Sequence, residues 1–260
     1  MKIYLLSIFI LLSIFGYSQW NEKGTISVHA QKIAVDELGN LYYSDGNSLN
    51  KLNVSGKLLA SYSNFSLGSI YSFDVSDPLR ILVYYKDFNS VLFLDNNLSI
   101  LRDPVSLDDL GVYDAGAVSA SHRGGFWVFS QNNMQLLRFN SNLIQEQESA
   151  ILFNAENPNE LAELAELTNY LFLSFLPSGI MMFDSFGSFI KQLPVRNAQC
   201  IHVNSTNLYY IENNRLVLYN VKQSKFTYFD PPISEFVDVA YNQGVWYFAE
   251  NEQIRIFSKE

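Results

Sequence analysis

The chain has 260 residues, 48% of them hydrophobic and 15% aromatic, with a formal net charge of −9 and a single cysteine. An acidic chain whose Lys and Arg residues are scattered singly is not built to bind nucleic acid, because neutralising phosphates takes clustered cations. One cysteine also excludes an intramolecular disulfide.

At the N-terminus Lys2 supplies a positive start, residues 3–15 are almost wholly apolar, and Gly16-Tyr17-Ser18 puts small residues at −3 and −1 of a cut before Gln19. This is the pattern of a secretory signal peptide. The apolar run of about thirteen residues is shorter than the roughly twenty a membrane span needs. No Cys follows it to take a lipid anchor. The expected mature chain is residues 19–260, exported and without a membrane span; removing Lys2 takes the charge from −9 to −10. The bias toward Asn, Tyr, Ile and Lys, with the Tyr-Ser-Gln cleavage region, is in the style of a Bacteroidetes-type Gram-negative bacterium.

Beyond the leader, residues 24–28 form a lone apolar strand, and then one pattern recurs about every forty residues. Its first runs are Leu41-Tyr42-Tyr43, Ile81-Leu82-Val83-Tyr84-Tyr85, Phe126-Trp127-Val128-Phe129, Tyr170-Leu171-Phe172-Leu173, Leu208-Tyr209-Tyr210-Ile211 and Val245-Trp246-Tyr247-Phe248. A second apolar run follows each, ending at Asn53, Asp95, Asn140, Asp184, Asn220 and Ser258, in steps of 42, 45, 44, 36 and 38. Asx residues there open tight turns by bonding their own backbone, and polar return strands follow. The aromatic runs are apolar at consecutive positions, so both of their faces are buried, as when sheets pack radially rather than in two layers. Short strands at this period predict a β-propeller of four-stranded antiparallel blades. The sixth unit stops after Ile254-Arg255-Ile256-Phe257 with no fourth strand. The strand at 24–28 supplies it, which closes the ring at six blades and removes the exposed edges.

Residues 157–167 depart from the rhythm, since Asn157-Pro158 and leucines at period three suit a short helix. The repeat calls instead for the inner strand of the fourth blade, so a loop or single turn to about Leu161 and a strand after it are expected. Cys200, between Gln199 and Ile201-His202-Val203, reads as a buried strand thiol.

The stretch Ile33-Ala34-Val35-Asp36-Glu37-Leu38-Gly39-Asn40-Leu41-Tyr42-Tyr43-Ser44-Asp45, with Leu49-Asn50-Lys51-Leu52-Asn53-Val54-Ser55-Gly56-Lys57 after it, resembles NHL-repeat and gluconolactonase-like six-bladed propellers. Only this first repeat carries the letters. The resemblance implies the fold more than an activity. Gluconolactonase-like enzymes hold a divalent cation in the channel with Glu, Asn and Asp; here the inner strands carry Asp74, Asp238 and His202, with no matching acidic motif at the first blade.

No sequence motif for catalysis stands out. His29, His122 and His202 lie far apart without metal-ligand spacing. Ser48/Lys51 and Ser188/Lys191 have SxxK spacing but fall on expected strands and hairpins, where no helix turn brings Lys back to Ser. The acidic stretch Asp103, Asp108, Asp109, Asp114 lacks the alternating ligands of a calcium loop. Propeller ligands usually sit on the rim where the turns between second and third strands emerge beside the connections between blades. That rim is expected to carry Asp45, Tyr85, Asp87, Asp109, Tyr113, Asp114, Gln131, Asn132, Glu212 and Glu250, a surface suited to protein or glycan contact.

The expected function is an exported, non-enzymatic binding or scaffold propeller, a subunit of a bacterial cell-envelope complex, periplasmic or outer-membrane-associated. It would have a protein partner and need neither metal nor cofactor. The alternatives are a divalent-metal lactonase-like hydrolase with its site in the channel, and a glycan-binding module marked by an exposed, flat aromatic on the rim.

Overall fold

Each aromatic run becomes the second strand of a four-stranded antiparallel meander, and six such sheets form a six-bladed β-propeller. The structure is a computed structural model that describes residues 20–152, 162–175, 179–204 and 206–259. The signal-peptide reading falls on residues outside these.

The N-terminal strand is β1 (Trp20–Ile26). Blade 1 follows as β2 (Lys32–Val35), β3 (Leu41–Ser44), β4 (Ser48–Leu52) and β5 (Leu58–Ser63). Blade 2 is β6 (Ser72–Asp74), β7 (Ile81–Tyr85), β8 (Ser90–Leu94) and β9 (Val105–Ser106). Blade 3 is β10 (Ala115–Ala120), β11 (Phe126–Ser130), β12 (Gln135–Phe139) and β13 (Gln145–Glu148). Blade 4 is β14 (Ala162–Leu167), β15 (Tyr170–Phe175), β16 (Gly179–Asp184) and β17 (Phe189–Leu193). Blade 5 is β18 (Gln199–Asn204), β19 (Asn207–Glu212), β20 (Arg215–Asn220) and β21 (Lys225–Phe229). Blade 6 has β22 (Asp238–Asn242), β23 (Val245–Ala249) and β24 (Ile254–Lys259) from the C-terminus, completed by β1.

Closure runs antiparallel, with Gly24 opposite Ile256, Thr25 opposite Arg255 and Ile26 opposite Ile254. The strand begins earlier than the apolar pattern predicts, at Trp20, because that ring is driven against the blade 6 aromatics. It meets Trp246, Phe248 and Phe257 edge-on at centroid distances of 6.0–6.3 Å. Residues 27–31 cross into blade 1 rather than extending the strand.

Burial follows the radial logic. In β7 and β11 every residue is buried, whereas the outer strands β5, β13, β17 and β21 are largely exposed. Successive side chains of one strand point to opposite faces, so each middle strand serves two neighbours. Leu82 and Tyr84 pack toward blade 3, while Ile81, Val83 and Tyr85 pack toward blade 1. The buried apolar residues fall into six clusters, one for each junction between adjacent blades. The core is therefore a ring, with no single centre.

At four of the predicted positions the Asx turns form as the sequence implies, while Asn220 Oδ1 accepts from Gln223 N at 2.9 Å instead. Asn53 Oδ1 accepts from Ser55 N at 3.0 Å and Lys57 N at 2.9 Å, and Asp95, Asn140 and Asp184 bond the equivalent pairs of amides. The third residue after Asn53, Asp95, Asn140 and Asp184 is left-handed: Gly56 and Gly187 take this without strain, whereas Leu98 (φ 59°) and Leu143 (φ 65°) adopt it as non-glycines.

One further element differs from expectation. The outer strand of blade 2 is reduced to a bridge between Leu94 and Ile100 and the two-residue β9, interrupted before Pro104, which has no N–H to donate. In blade 4 the helix-like leucine run is strand β14 from Ala162 onward, as the repeat calls for. Residues 157–161 lie outside the described residues.

Candidate functional site

Inner strands of neighbouring blades do not pair with one another, so their channel-facing amides need other acceptors. Carboxylates on the adjacent blade provide them. Asp238 of blade 6 accepts from Ile33 N of blade 1 at 2.8 Å and from Val239 N at 2.9 Å. Asp74 of blade 2 accepts from Ala120 N and Ser119 Oγ of blade 3, both at 2.9 Å. Glu166 of blade 4 accepts from His122 N at 2.7 Å and from the Trp127 indole at 3.3 Å. Glu163, also of blade 4, accepts from Ile201 N of blade 5 at 3.0 Å. Asp74 and Asp238 are thus occupied by backbone amides. Among the described residues no group of three or more His, Cys, Asp or Glu side chains is placed to hold a metal.

Near the start of the inner strands, Lys32, Glu163, His202 and Asp238 converge on a cavity of about 150 Å³ inside the channel, which Asp74 and Tyr209 also line. Lys32 of blade 1 reaches across to Glu163 of blade 4, Nζ to Oε1 3.4 Å, an ion pair that spans the channel. His202 lies with Nε2 3.5 Å from Asp238 Oδ1, its ring stacked on Tyr209 at a centroid distance of 5.5 Å. Asp238 is 1% exposed. Burial pushes its carboxyl up, but the hydrogen bond from His202 and the charge of Lys32 outweigh this and hold it below the ordinary value. Burial also works against the Lys32 ammonium, yet Asp238 and Glu163 keep its pKa above the usual lysine value. Beside them Cys200 takes a left-handed φ of 53° at an irregularity of β18. Burial pushes its thiol well up, so it stays a neutral thiol rather than a nucleophilic thiolate. The arrangement joins a carboxylate-oriented imidazole to a fixed cation, an acid–base pair beside an electrostatic anchor.

The sequence reading named Asp238 and His202 but missed Lys32 and Glu163. Glu163 was hidden in the helix-like run of blade 4, and Lys32 is an isolated charge ahead of the first repeat.

The ten predicted rim residues lie in, or at the strand ends of, the turns and connections on one face of the ring. They do not all reach solvent. Tyr85 is 1% and Gln131 7% exposed, so both belong to the interior. Asp45 is tied into its own turn, accepting from Asn47 N at 2.8 Å and Ser48 N at 2.7 Å. Glu212 accepts from Arg196 N at 3.1 Å, and Glu250 lies 3.7 Å from Arg255. Asp87, Asp109, Tyr113 and Asn132 are exposed and Asp114 is half-buried. Two exposed aromatics on this face, Phe65 and Phe88, were not predicted. Their signal was an isolated Phe among polar turn residues, in Asn64-Phe65-Ser66 and Asp87-Phe88-Asn89.

Charge divides the two faces. In the rim turns and connections, the predicted acids together with Asp108, Asp230, Glu235 and Glu252 make ten carboxylates among the described residues. Lys86 and Arg196 stand against them, with Lys32, Arg215 and Arg255 at neighbouring strand ends. On the opposite face Asp36, Glu37, Asp77, Asp95 and Asp184 are nearly balanced by Lys57, Arg80, Arg123 and Lys222. Of those acids, Asp36, Asp95 and Asp184 bond their own turn amides.

No protein-family profile matches the chain, and no curated protein matches it in sequence. Solved structures do. Virginiamycin B lyase from Staphylococcus aureus aligns over 92% of this chain and 99% of its own, with TM-score 0.64 and 12% identity. A histidine-to-alanine variant of that lyase with quinupristin, described as catalytically inactive, aligns over 93% of this chain and 88% of its own, with TM-score 0.63 and 14% identity. A protein of unknown function from Bacteroides thetaiotaomicron aligns over 94% of this chain and 72% of its own, with TM-score 0.65 and 12% identity. PorZ of Porphyromonas gingivalis, described as an essential bacterial surface component of the type-IX secretion system, aligns over 93% of this chain and 39% of its own, with TM-score 0.55 and 14% identity. At these identities the likeness is one of fold. It corrects one expectation: propellers of this architecture include an enzyme, so a missing nucleophile motif does not make the chain non-enzymatic.

Proposed function

We propose that this chain is the binding propeller of an exported assembly in the cell envelope of a Bacteroidetes-type Gram-negative bacterium, and that it engages a protein partner through its acidic rim. The charge asymmetry between the two faces carries the reading. Ten carboxylates against five cations on one rim, where the opposite face is nearly balanced, give that rim a negative field that steers and orients a partner of opposite charge. The fold shared with a secretion-system surface component supports an envelope setting, and the leader-like N-terminus supports export. Among the described residues no helix is long and apolar enough to cross a membrane. Capture of the tagged protein from envelopes of its host tests this: a stoichiometric envelope protein should copurify, and recovery of the chain alone would contradict it.

The channel supports a second reading, acid–base chemistry on a small molecule. His202 is held by buried Asp238 yet still faces the cavity. The likeness to a lyase whose histidine variant is described as inactive supports it as well. The check is to incubate the parent and His202→Ala with host extracts and follow metabolites by mass spectrometry; this reading requires a conversion that only the parent performs.

A further inference from the structure

We infer that the sector of the rim between blades 1 and 3 is where the partner docks, and that it takes a protein segment bearing arginine or lysine side chains. This rests on the rim-binding reading above and names the chemistry of its partner.

Three pieces of chain build the sector. The connection at 64–68 leaves blade 1 through a short 3-10 turn, capped by Asn64 Oδ1 accepting from Ser66 N at 3.0 Å. It is clamped against the β7–β8 turn: a Cβ placed on Gly68, which has φ 75°, would meet the Asp87 carboxylate and the Phe88 ring, each at 3.3 Å. That turn is tied to the connection after β9. Asn89 Nδ2 donates to Asp108 Oδ1 and to Val112 O, both at 2.6 Å, and Leu107 N donates to Asn89 O at 2.8 Å.

On this cross-linked backbone the chain displays three large rings to solvent. Phe65 is 78%, Phe88 56% and Tyr113 72% exposed. Rings held outward on a fixed backbone lose little freedom when covered, which suits an interface. Around them stand Asp87, Asp108, Asp109 and Asp114, with Lys86 as the one cation in these three pieces. Lys86 itself lies over the Tyr71 ring, Nζ 4.7 Å from the centroid, so the sector already contains the cation-on-ring contact that it would offer a partner.

A guanidinium or ammonium gains twice here, from the ring face and from the carboxylates. An acidic segment would be repelled. A neutral sugar would use the rings but draw nothing from the charge.

Fluorescence anisotropy with the full protein tests the assignment. The probe is a labelled peptide of alternating arginine and glycine; a matched glutamate–glycine peptide and a neutral oligosaccharide serve as comparators. The arginine peptide should bind, and its affinity should fall about tenfold or more between low and high salt as exposed charges are screened. The double variants Phe65→Ser/Tyr113→Ser and Asp108→Asn/Asp109→Asn should each weaken it by about tenfold, the scale of interface hot spots. These side chains are mostly exposed, and an unchanged melting temperature confirms that the variants fold.

Absence of arginine-peptide binding, equal binding of the glutamate peptide, or full affinity in the Phe65→Ser/Tyr113→Ser variant would overturn the assignment. Tighter binding of the oligosaccharide would make the sector a glycan site instead. Failure here is separable from failure of the rim reading. If that aromatic variant still captures the envelope partner, the rim reading stands and this sector is wrong.

Discussion

Replacing Trp127 by Ala tests the radial packing most severely among single changes. Its side chain is 0% exposed, in the cluster that joins blade 3 to blade 4. Its Cη2 lies 3.3 Å from where a Cβ on Gly187 of blade 4 would stand, so neither blade has room to collapse into the space left. Truncating a buried Trp costs about 3–5 kcal/mol. The indole N–H also bonds Glu166, which keeps the His122 amide at 2.7 Å and the Ser121 hydroxyl at 3.4 Å as partners; losing one of these three bonds adds about 1 kcal/mol. The expected total is about 4–6 kcal/mol. For a chain of this size, ~2–4 °C per kcal/mol makes that a fall of roughly 8–24 °C in melting temperature. Thermal unfolding followed by near-UV circular dichroism reads it directly, and Trp127→Phe should lose less than half as much. A Trp127→Ala protein melting within about 2 °C of the parent would refute packing of this strand between blades.

Removing β1 by deleting residues 20–26 should leave β24 as an unpaired apolar edge and strip Trp20 from Trp246, Phe248 and Phe257; the protein should then aggregate, and a monomeric, parent-like melt would count against ring closure. Asp238→Asn should destabilise by about 2–3 kcal/mol near neutral pH, because a buried acceptor of two amides loses its charge and aims an N–H at a donor. The folded pKa of Asp238 lies below its ordinary value, so its contribution is present above about pH 4 and is lost as pH falls through the folded pKa. Denaturant titrations should therefore show the gap between parent and variant close in acid, and a gap independent of pH would reject the role assigned to this carboxylate.

The ring was legible because its determinants are local and repeated. Consecutive apolar residues such as Ile81 to Tyr85, in short antiparallel strands with no long helical pattern to cover them, are buried on both faces by radial packing of sheets, and Asn53, Asp95, Asn140 and Asp184 mark their turns by bonds within four residues. The channel was less so. Lys32 meets Glu163, and Asp238 meets Ile33, across separations of 131 and 205 residues, contacts made by closure of the ring, which leave no local pattern. On the rim, polarity marked which residues stand in turns but not which reach solvent. Tyr85 turns inward to fill the junction between blades 1 and 2 and Gln131 is buried, while Phe65 and Phe88, apolar residues among polar turn neighbours, face out.

The acidic rim is the face proposed to meet a protein partner. A photo-crosslinking amino acid placed in the full chain at Phe88 or Tyr113 on the rim, and at Leu79 or Phe186 on the opposite face, measures this in envelopes of the host. All four side chains are exposed. Protein adducts formed from Phe88 and Tyr113 but not from Leu79 and Phe186 are the predicted result. Adducts from Leu79 and Phe186 alone, or from no position, would contradict it.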